Sequence, residues 1–282
     1  MELKEYFPKS QVNHLPFMGE DWVTIAEEDH YIHLAKEALT ARELFLLEKF
    51  DLLDYMAKPS TSPWQDYLLL KKGPLPEPLS HFQFIFLEHK VTLAEDLLDL
   101  FKSLIPSLVA IVHINKSRTA LLIDQSQESD LLSLFADILP TIESDFGIAL
   151  SVFIGNNWLD NKGQGLSGYF DEENLLLTSY QTQKGEKQLF SFSELLLWGM
   201  MTQLELPMLE KHFYHHLVQN KEVSDLVLSL WQCQGNLVQT AQKLYIHRNS
   251  LQYKLEKTKR QTGLNLKNLD DLTFAYLFIQ KQ

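Results

Sequence analysis

The spacing of apolar residues along the chain divides it into three blocks. In the first, residues 21–25 and 31–34 read as short strands around an acidic turn, Glu27-Glu28-Asp29. Thr40, with Glu43 at the third position, caps a helix whose apolar content is Leu44, Phe45, Leu47, Leu52 and Leu53. Pro59 and Pro63 bracket a break, and a short segment over residues 64–70 follows. Prolines 74, 76 and 78 hold the residues before them extended, so this stretch is a stiff connector and a candidate boundary.

The second block is the most regular. Residues 82–88 predict a strand, and 92–104 a helix with Leu93, Leu97, Leu100 and Phe101 on one side. Residues 108–114 and 119–124 predict a hairpin turning at Asn115-Lys116-Ser117-Arg118. A helix over 128–146 carries Pro140, where it is expected to kink or break, and 148–154 is a fourth strand. The order β-α-β-β-α-β is the split arrangement of ferredoxin-like domains, an antiparallel sheet with helices on one face. A polar loop over 156–168, a helix at 171–180, a strand at 188–192 and a helix at 193–204 complete the block.

From Pro207 the pattern is helical throughout. Val223, Leu226, Val227, Leu230 and Trp231 follow amphipathic spacing. Asn236 caps a short helix, with Gln239 completing a capping box and Val238, Ala241 and Leu244 forming its inward face. Ile246 plugs a tight turn, and Leu251 and Leu255 are the inward stripe of a second helix stopped by Gly263. Asn268 and Asp271 cap a last helix, whose Leu272, Phe274, Ala275, Leu277, Phe278 and Ile279 close the core. Two short helices around a tight turn are the layout of a helix-turn-helix, whose second helix enters the major groove. The expected organisation is an α+β multidomain chain: a region over 1–78, a ferredoxin-like domain over 79–205 and an all-helical helix-turn-helix domain over 206–282.

Charge sharpens that reading. Residues 235–261 hold Lys243, Arg248, Lys254, Lys257, Lys259 and Arg260 against Glu256 alone, a net +5 on a chain whose total is −12. Segregated cations suit a phosphate surface, and an acidic remainder discourages non-specific wrapping. The bland alternative is an exposed basic helix in a bundle. At 282 residues, 45% of them hydrophobic, the chain supports two or three ordinary cores. No apolar run reaches the roughly 18–20 residues of a membrane span, and the N-terminus lacks a secretory pattern, so a cytoplasmic place is expected. Cys233 is the one cysteine, which excludes an internal disulfide and reads as a packing residue.

With Leu251 and Leu255 inward, Asn249, Ser250 and Tyr253 project outward, flanked by Arg248 and Gln252. Arg248 and Asn249, in the first turn, are the candidates for reading base edges, since Arg pairs bidentately with guanine and Asn with adenine. Tyr253, Lys254 and Lys257 lie farther along and suit phosphate contacts; the alternative for Tyr253 is packing on a neighbouring helix. Other constellations are weaker. Gly163-Gln164-Gly165-Leu166-Ser167-Gly168 matches a dinucleotide fingerprint, but eight residues separate it from the preceding strand. His212 and His216 have metal-pair spacing without a third ligand, and Glu88 with Asp124 could in principle share Mg²⁺. No cofactor, metal or catalytic residue is expected.

The run Gly235-Asn236, Ala241, Leu244, His247-Arg248-Asn249-Ser250-Leu251, Tyr253-Lys254-Leu255 and Thr262-Gly263-Leu264 resembles the C-terminal helix-turn-helix of the PucR/CdaR family of transcription regulators. The family favours Thr where Ser250 stands and Arg where Gln252 and Lys254 stand. The middle block is similar to that family's degenerate GGDEF-like domain, in agreement with its β-α-β-β-α-β order and with a hairpin, Asn115-Lys116-Ser117-Arg118, that lacks the catalytic glycine-pair signature. The resemblance implies a cytoplasmic DNA-binding regulator, a homodimer on double-stranded DNA, responding to a small-molecule effector that the sequence does not identify. A scaffold module with a non-binding helix-turn-helix and a nucleotide-processing enzyme are the rival readings.

Overall fold

The structure, a computed structural model, describes residues 7, 10–13, 22–27, 30–44, 62–127, 129–159, 165–181 and 188–281. Near the N-terminus, β1 (Gln11–Asn13), β2 (Trp22–Glu27) and β3 (His30–Ala35) form an antiparallel sheet in the order β1-β3-β2. Period-two alternation turns Val23, Ile25, Ile32 and Leu34 into one small core. Thr40 and Glu43 form the expected reciprocal cap: Thr40 N–H donates to Glu43 Oε2 at 2.7 Å, and Glu43 N–H to Thr40 Oγ1 at 3.3 Å. Glu28, Asp29, Phe45, Leu47, Leu52, Leu53 and Pro59 lie outside the described residues.

The central sheet is built from β4 (His81–Glu88), β5 (Leu108–Asn115), β6 (Arg118–Asp124), β7 (Ser151–Ile154), β8 (Trp158–Leu159) and β9 (Leu189–Ser191). Its order is β5-β6-β4-β7-β9, with β8 also on β4; all pairs are antiparallel except β7 with β9. The helices between are α1 (Pro63–Leu68), α2 (Glu95–Leu104), α3 (Leu131–Phe146), α4 (Leu166–Gln181) and α5 (Phe192–Met201). Pro140 does not break α3, which continues from Leu131 to Phe146. Pro140 and Ala136 both face solvent, so the carbonyl that loses its donor is open to water.

The expected single covered face is corrected: helices cover both. Ile85, Leu87, Leu121, Ile123, Val152 and Ile154 pack with Leu97, Phe101, Phe135 and Ile142 of α2 and α3. Phe82, Phe84, Phe86, Leu122 and Phe153 point the other way, into a larger core. The apolar run Phe84-Ile85-Phe86-Leu87 of β4 requires this, because a strand wet on one side alternates.

That larger core is shared with the C-terminal helices α6 (Pro207–Phe213), α7 (Lys221–Gln232), α8 (Leu237–Lys243), α9 (Arg248–Thr262) and α10 (Leu269–Lys281). Rings run from Phe84 through Phe170 and from Trp158 through Phe192 and Phe213 to Phe274, each step 5.0–6.2 Å. Trp231 of α7 stacks on Tyr276 of α10 at 4.2 Å. Trp64 and Leu68 of α1 join the same core, so packing is continuous across both 78/79 and 205/206.

Candidate nucleic-acid interface

Asn236 caps α8 by accepting from the N–H groups of Val238 and Gln239, each at 3.1 Å. The capping box is one-sided, since Asn236 N–H donates to Cys233 carbonyl instead. The inward face of α8 is also shifted from the expected one. Thr240 and Ala241 are buried, with Leu237 and Leu244 packed beside them, while Val238 is 55% exposed. Because the helix begins at Leu237, positions 237, 240, 241 and 244 share a side and 238 is turned away by about 100°.

The turn closes as a Schellman motif: Tyr245 N–H donates to Gln242 carbonyl and Ile246 N–H to Ala241 carbonyl. Tyr245 sits at φ 54°, a left-handed conformation, with its ring 96% exposed. Ile246 folds back onto the core, and His247 Nδ1 accepts Asn249 N–H at 3.2 Å to start α9. Leu251 and Leu255 are buried as expected.

The outward face then follows from the helical period. Arg248, Asn249, Ser250, Gln252 and Lys257 are exposed, and Tyr253 is 71% exposed rather than packed on a neighbour. Lys254 differs: its ammonium pairs with Glu222 of α7, and that hydrogen bond and charge hold the Glu222 carboxyl below its usual range. Glu256, the single carboxylate on α9, accepts from Gln252 at 2.8 Å and from Lys267 at 2.9 Å. Sequence reasoning missed Tyr245, whose signal was a bulky residue at the left-handed position of the turn.

The far end of α9 is anchored. Gly263 closes the helix at φ 77°, and a Cβ there would overlap the Asn156 side chain. Asn156 Nδ2 donates to Thr262 carbonyl at 2.9 Å, while Asn156 N–H and Trp158 Nε1 both donate to Glu173 Oε1 at 2.8 Å. Glu173 is fully buried, and desolvation outweighs those two donors, pushing its carboxyl up to about 8. A chain of contacts thus ties helix α4, through the β7–β8 loop, to the end of α9.

The other candidate constellations do not assemble. Glu88 pairs with Arg118 at one end of β4, whereas Asp124 lies opposite Phe82 at the other end, about 20 Å away along the strand. They cannot share one cation. His212 Nδ1 is bonded to Tyr169 hydroxyl at 3.0 Å, and burial with the nearby His216 pushes its pKa down to about 3. Among the described residues no group of three His, Cys, Asp or Glu could hold a metal, and no helix is long and apolar enough to cross a membrane. Gly163 and Gln164 lie outside the described residues.

Residues 226–279, which span α7 to α10, match the PucR C-terminal helix-turn-helix domain, so this part of the chain is a helix-turn-helix of the PucR type. The chain as a whole is 44% identical over 285 residues to the "Leucine-rich protein" of Streptococcus dysgalactiae subsp. equisimilis, covering 100% of both, and belongs to the family of that protein. It is also 22% identical over 266 residues to the uncharacterized protein YxkF of Bacillus subtilis (strain 168), covering 87% of this chain and 86% of that one. Among solved structures it resembles a regulator of polyketide synthase expression from Bifidobacterium adolescentis, with 14% identity, TM-score 0.33, and coverage of 73% and 82%.

Proposed function

We propose that the chain is a sequence-specific DNA-binding transcription regulator, active as a cytoplasmic homodimer. The observation that carries this reading is the outward face of α9: Arg248, Asn249, Ser250, Gln252, Tyr253 and Lys257 stand in solvent on one side of a basic helix within a PucR-type helix-turn-helix. Arg248 and Asn249 read base edges, Lys257 contacts phosphate, and Lys254 does so after exchanging Glu222 for the duplex. Residues 206–282 are the DNA-reading unit. Residues 79–205 are a degenerate GGDEF-like domain, a reading supported by the antiparallel strand order β5-β6-β4-β7 of a split β-α-β-β-α-β unit.

Selection of bound duplexes from a random library, followed by titration of the best one against salt, tests the proposal. A single preferred motif, with log affinity falling linearly against log salt, is the expected result. Equal affinity for all duplexes, or none for any, overturns it in favour of a scaffold role.

A further inference from the structure

Between the anchored end of α9 and the central sheet lies a half-open cleft of about 490 Å³, within the roughly 300–1,000 Å³ of small-molecule sites. One wall comes from the sheet and the N-terminal turns of α3 and α5. The other belongs to the DNA-reading unit, through Lys259, Gly263 and Asn265. We propose that this cleft binds an uncharged, hydroxyl-rich compound of sugar size, and that its occupancy sets how α9 is held. The binding claim stands alone; only its consequence for DNA rests on the reading above.

The walls select against other chemistries. Asp130 and Asp271 face the cleft against the ammonium of Lys259 alone, so an anionic ligand meets net repulsion. Two of the helix starts on the cleft are already capped, since Asp130 accepts Ser133 N–H at 3.1 Å and Asn268 accepts Asp270 N–H at 2.7 Å, while the start of α5 at Ser191 has no side-chain cap and is open to a neutral hydroxyl. A wholly apolar ligand would cover the carboxylates of Asp130 and Asp271 and the ammonium of Lys259 without offering them a hydrogen bond. Hydroxyls both donate and accept, which matches amides and carboxylates together, while Leu131, Leu132 and Ile154 suit the C–H face of a ring. Asn157 Oδ1, on this wall, is shielded from water, and among the described residues no donor reaches it. A ligand hydroxyl supplies one after a small turn of the amide.

Coupling follows from who contributes the walls. A ligand touching both Asn157 and Asn265 bridges the loop that anchors α9 to the turn that follows it, so it changes the free energy of one arrangement relative to others. In a dimer, the same change alters the separation of two recognition helices.

Calorimetric titration of the full chain with D-glucose, D-ribose and sucrose, with D-glucuronate and inorganic phosphate as anionic counterparts, tests this. At least one neutral sugar should bind, and about tenfold more weakly to Leu132→Trp, which fills the cleft, and to Asn157→Ala. The bound sugar should shift affinity for the selected duplex by about fivefold or more. Binding of no neutral probe at millimolar concentration, binding of the anions alone, or sugar binding unaffected in both variants overturns the cleft assignment. Sugar binding that leaves duplex affinity unchanged overturns the coupling. A chain that binds sugar but no duplex supports the cleft and overturns the DNA reading, and the converse removes the cleft alone.

Discussion

The two ends of α9 are held in opposite ways. Its first turns carry Arg248, Asn249, Ser250 and Tyr253 in solvent, committed to little beyond their own helix. Its last turns bury Thr258 and Thr262, stop at Gly263 and are pinned to the sheet through Asn156. The proposed DNA-reading role asks for an uncommitted end, because its side chains would have to trade water for base edges at small cost. An anchored end must be committed, because it helps to set the direction of the helix. At 15 residues α9 is about 22 Å long, so a rotation of roughly 5° at the anchor moves the tip by about 2 Å.

The strongest test of this contrast strikes the anchor. Gly263→Ala places a side chain at φ 77° and against Asn156, and should cost about 3 kcal/mol in urea denaturation. A loss below about 0.5 kcal/mol would mean that the end is not tightly held. Arg248→Ala should do the opposite: leave the denaturation midpoint in place, yet weaken the selected duplex by about 1–3 kcal/mol and relax one base position. An unchanged binding logo would remove Arg248 from base readout.

Next in size is a pH effect from the buried link. Glu173 has its pKa raised to about 8 from 4.5, so the folded chain binds the extra proton between those values and stability falls as pH rises through that window. The loss between about pH 6 and pH 8 should be about 2 kcal/mol, and Glu173→Gln should flatten it. His212, lowered to about 3 from 6.5, acts with the other sign: its contribution is intact above pH 6.5 and fades as pH falls toward 3. A wild-type curve flat from about pH 6 to pH 8 would show that Glu173 is ionised in the folded state.

The smallest effect separates two lysines one turn apart. Lys257→Ala should lower the log–log salt slope by about 1 for specific and random duplexes alike. Lys254→Ala should lower it less, because Lys254 first has to leave Glu222, and Glu222→Gln should restore part of that difference. Equal slopes for the two Ala variants would show that the ion pair has no bearing on binding.

How much of this the sequence carried depends on the range of the interaction. Asn236, Leu251, Leu255 and Gly263 mark the helix-turn-helix within one short stretch, and capping and period place them without help from elsewhere. Strands β4, β5 and β6 were equally readable, their boundaries agreeing within a residue. The second covered face was written in the unbroken apolar run from Phe84 to Leu87, yet a β-α-β-β-α-β order alone suggests helices on one side. Val238 misled because three apolar residues at i, i+3 and i+6 fit a stripe, while the true stripe includes Thr240. Pairs such as Asn156 with Thr262, or Glu222 with Lys254, join residues distant in the chain, and no local pattern announces them.

The shared core also has a consequence for how the chain is made. Phe82, Phe84 and Phe86 are sealed from water in a core completed by Leu217, Phe274 and Phe278, which are translated later. At about 5–20 residues per second, the stretch from β9 to Phe278 takes roughly 4–17 s to emerge, and for that time the aromatic side of the sheet has α4, through Phe170, but not the C-terminal helices as cover. A ribosome stalled before Phe274 would therefore hold out a surface that chaperones recognise and that sticks to its own kind. The helices of the helix-turn-helix thus double as cover for the sheet, and the two parts complete one core together.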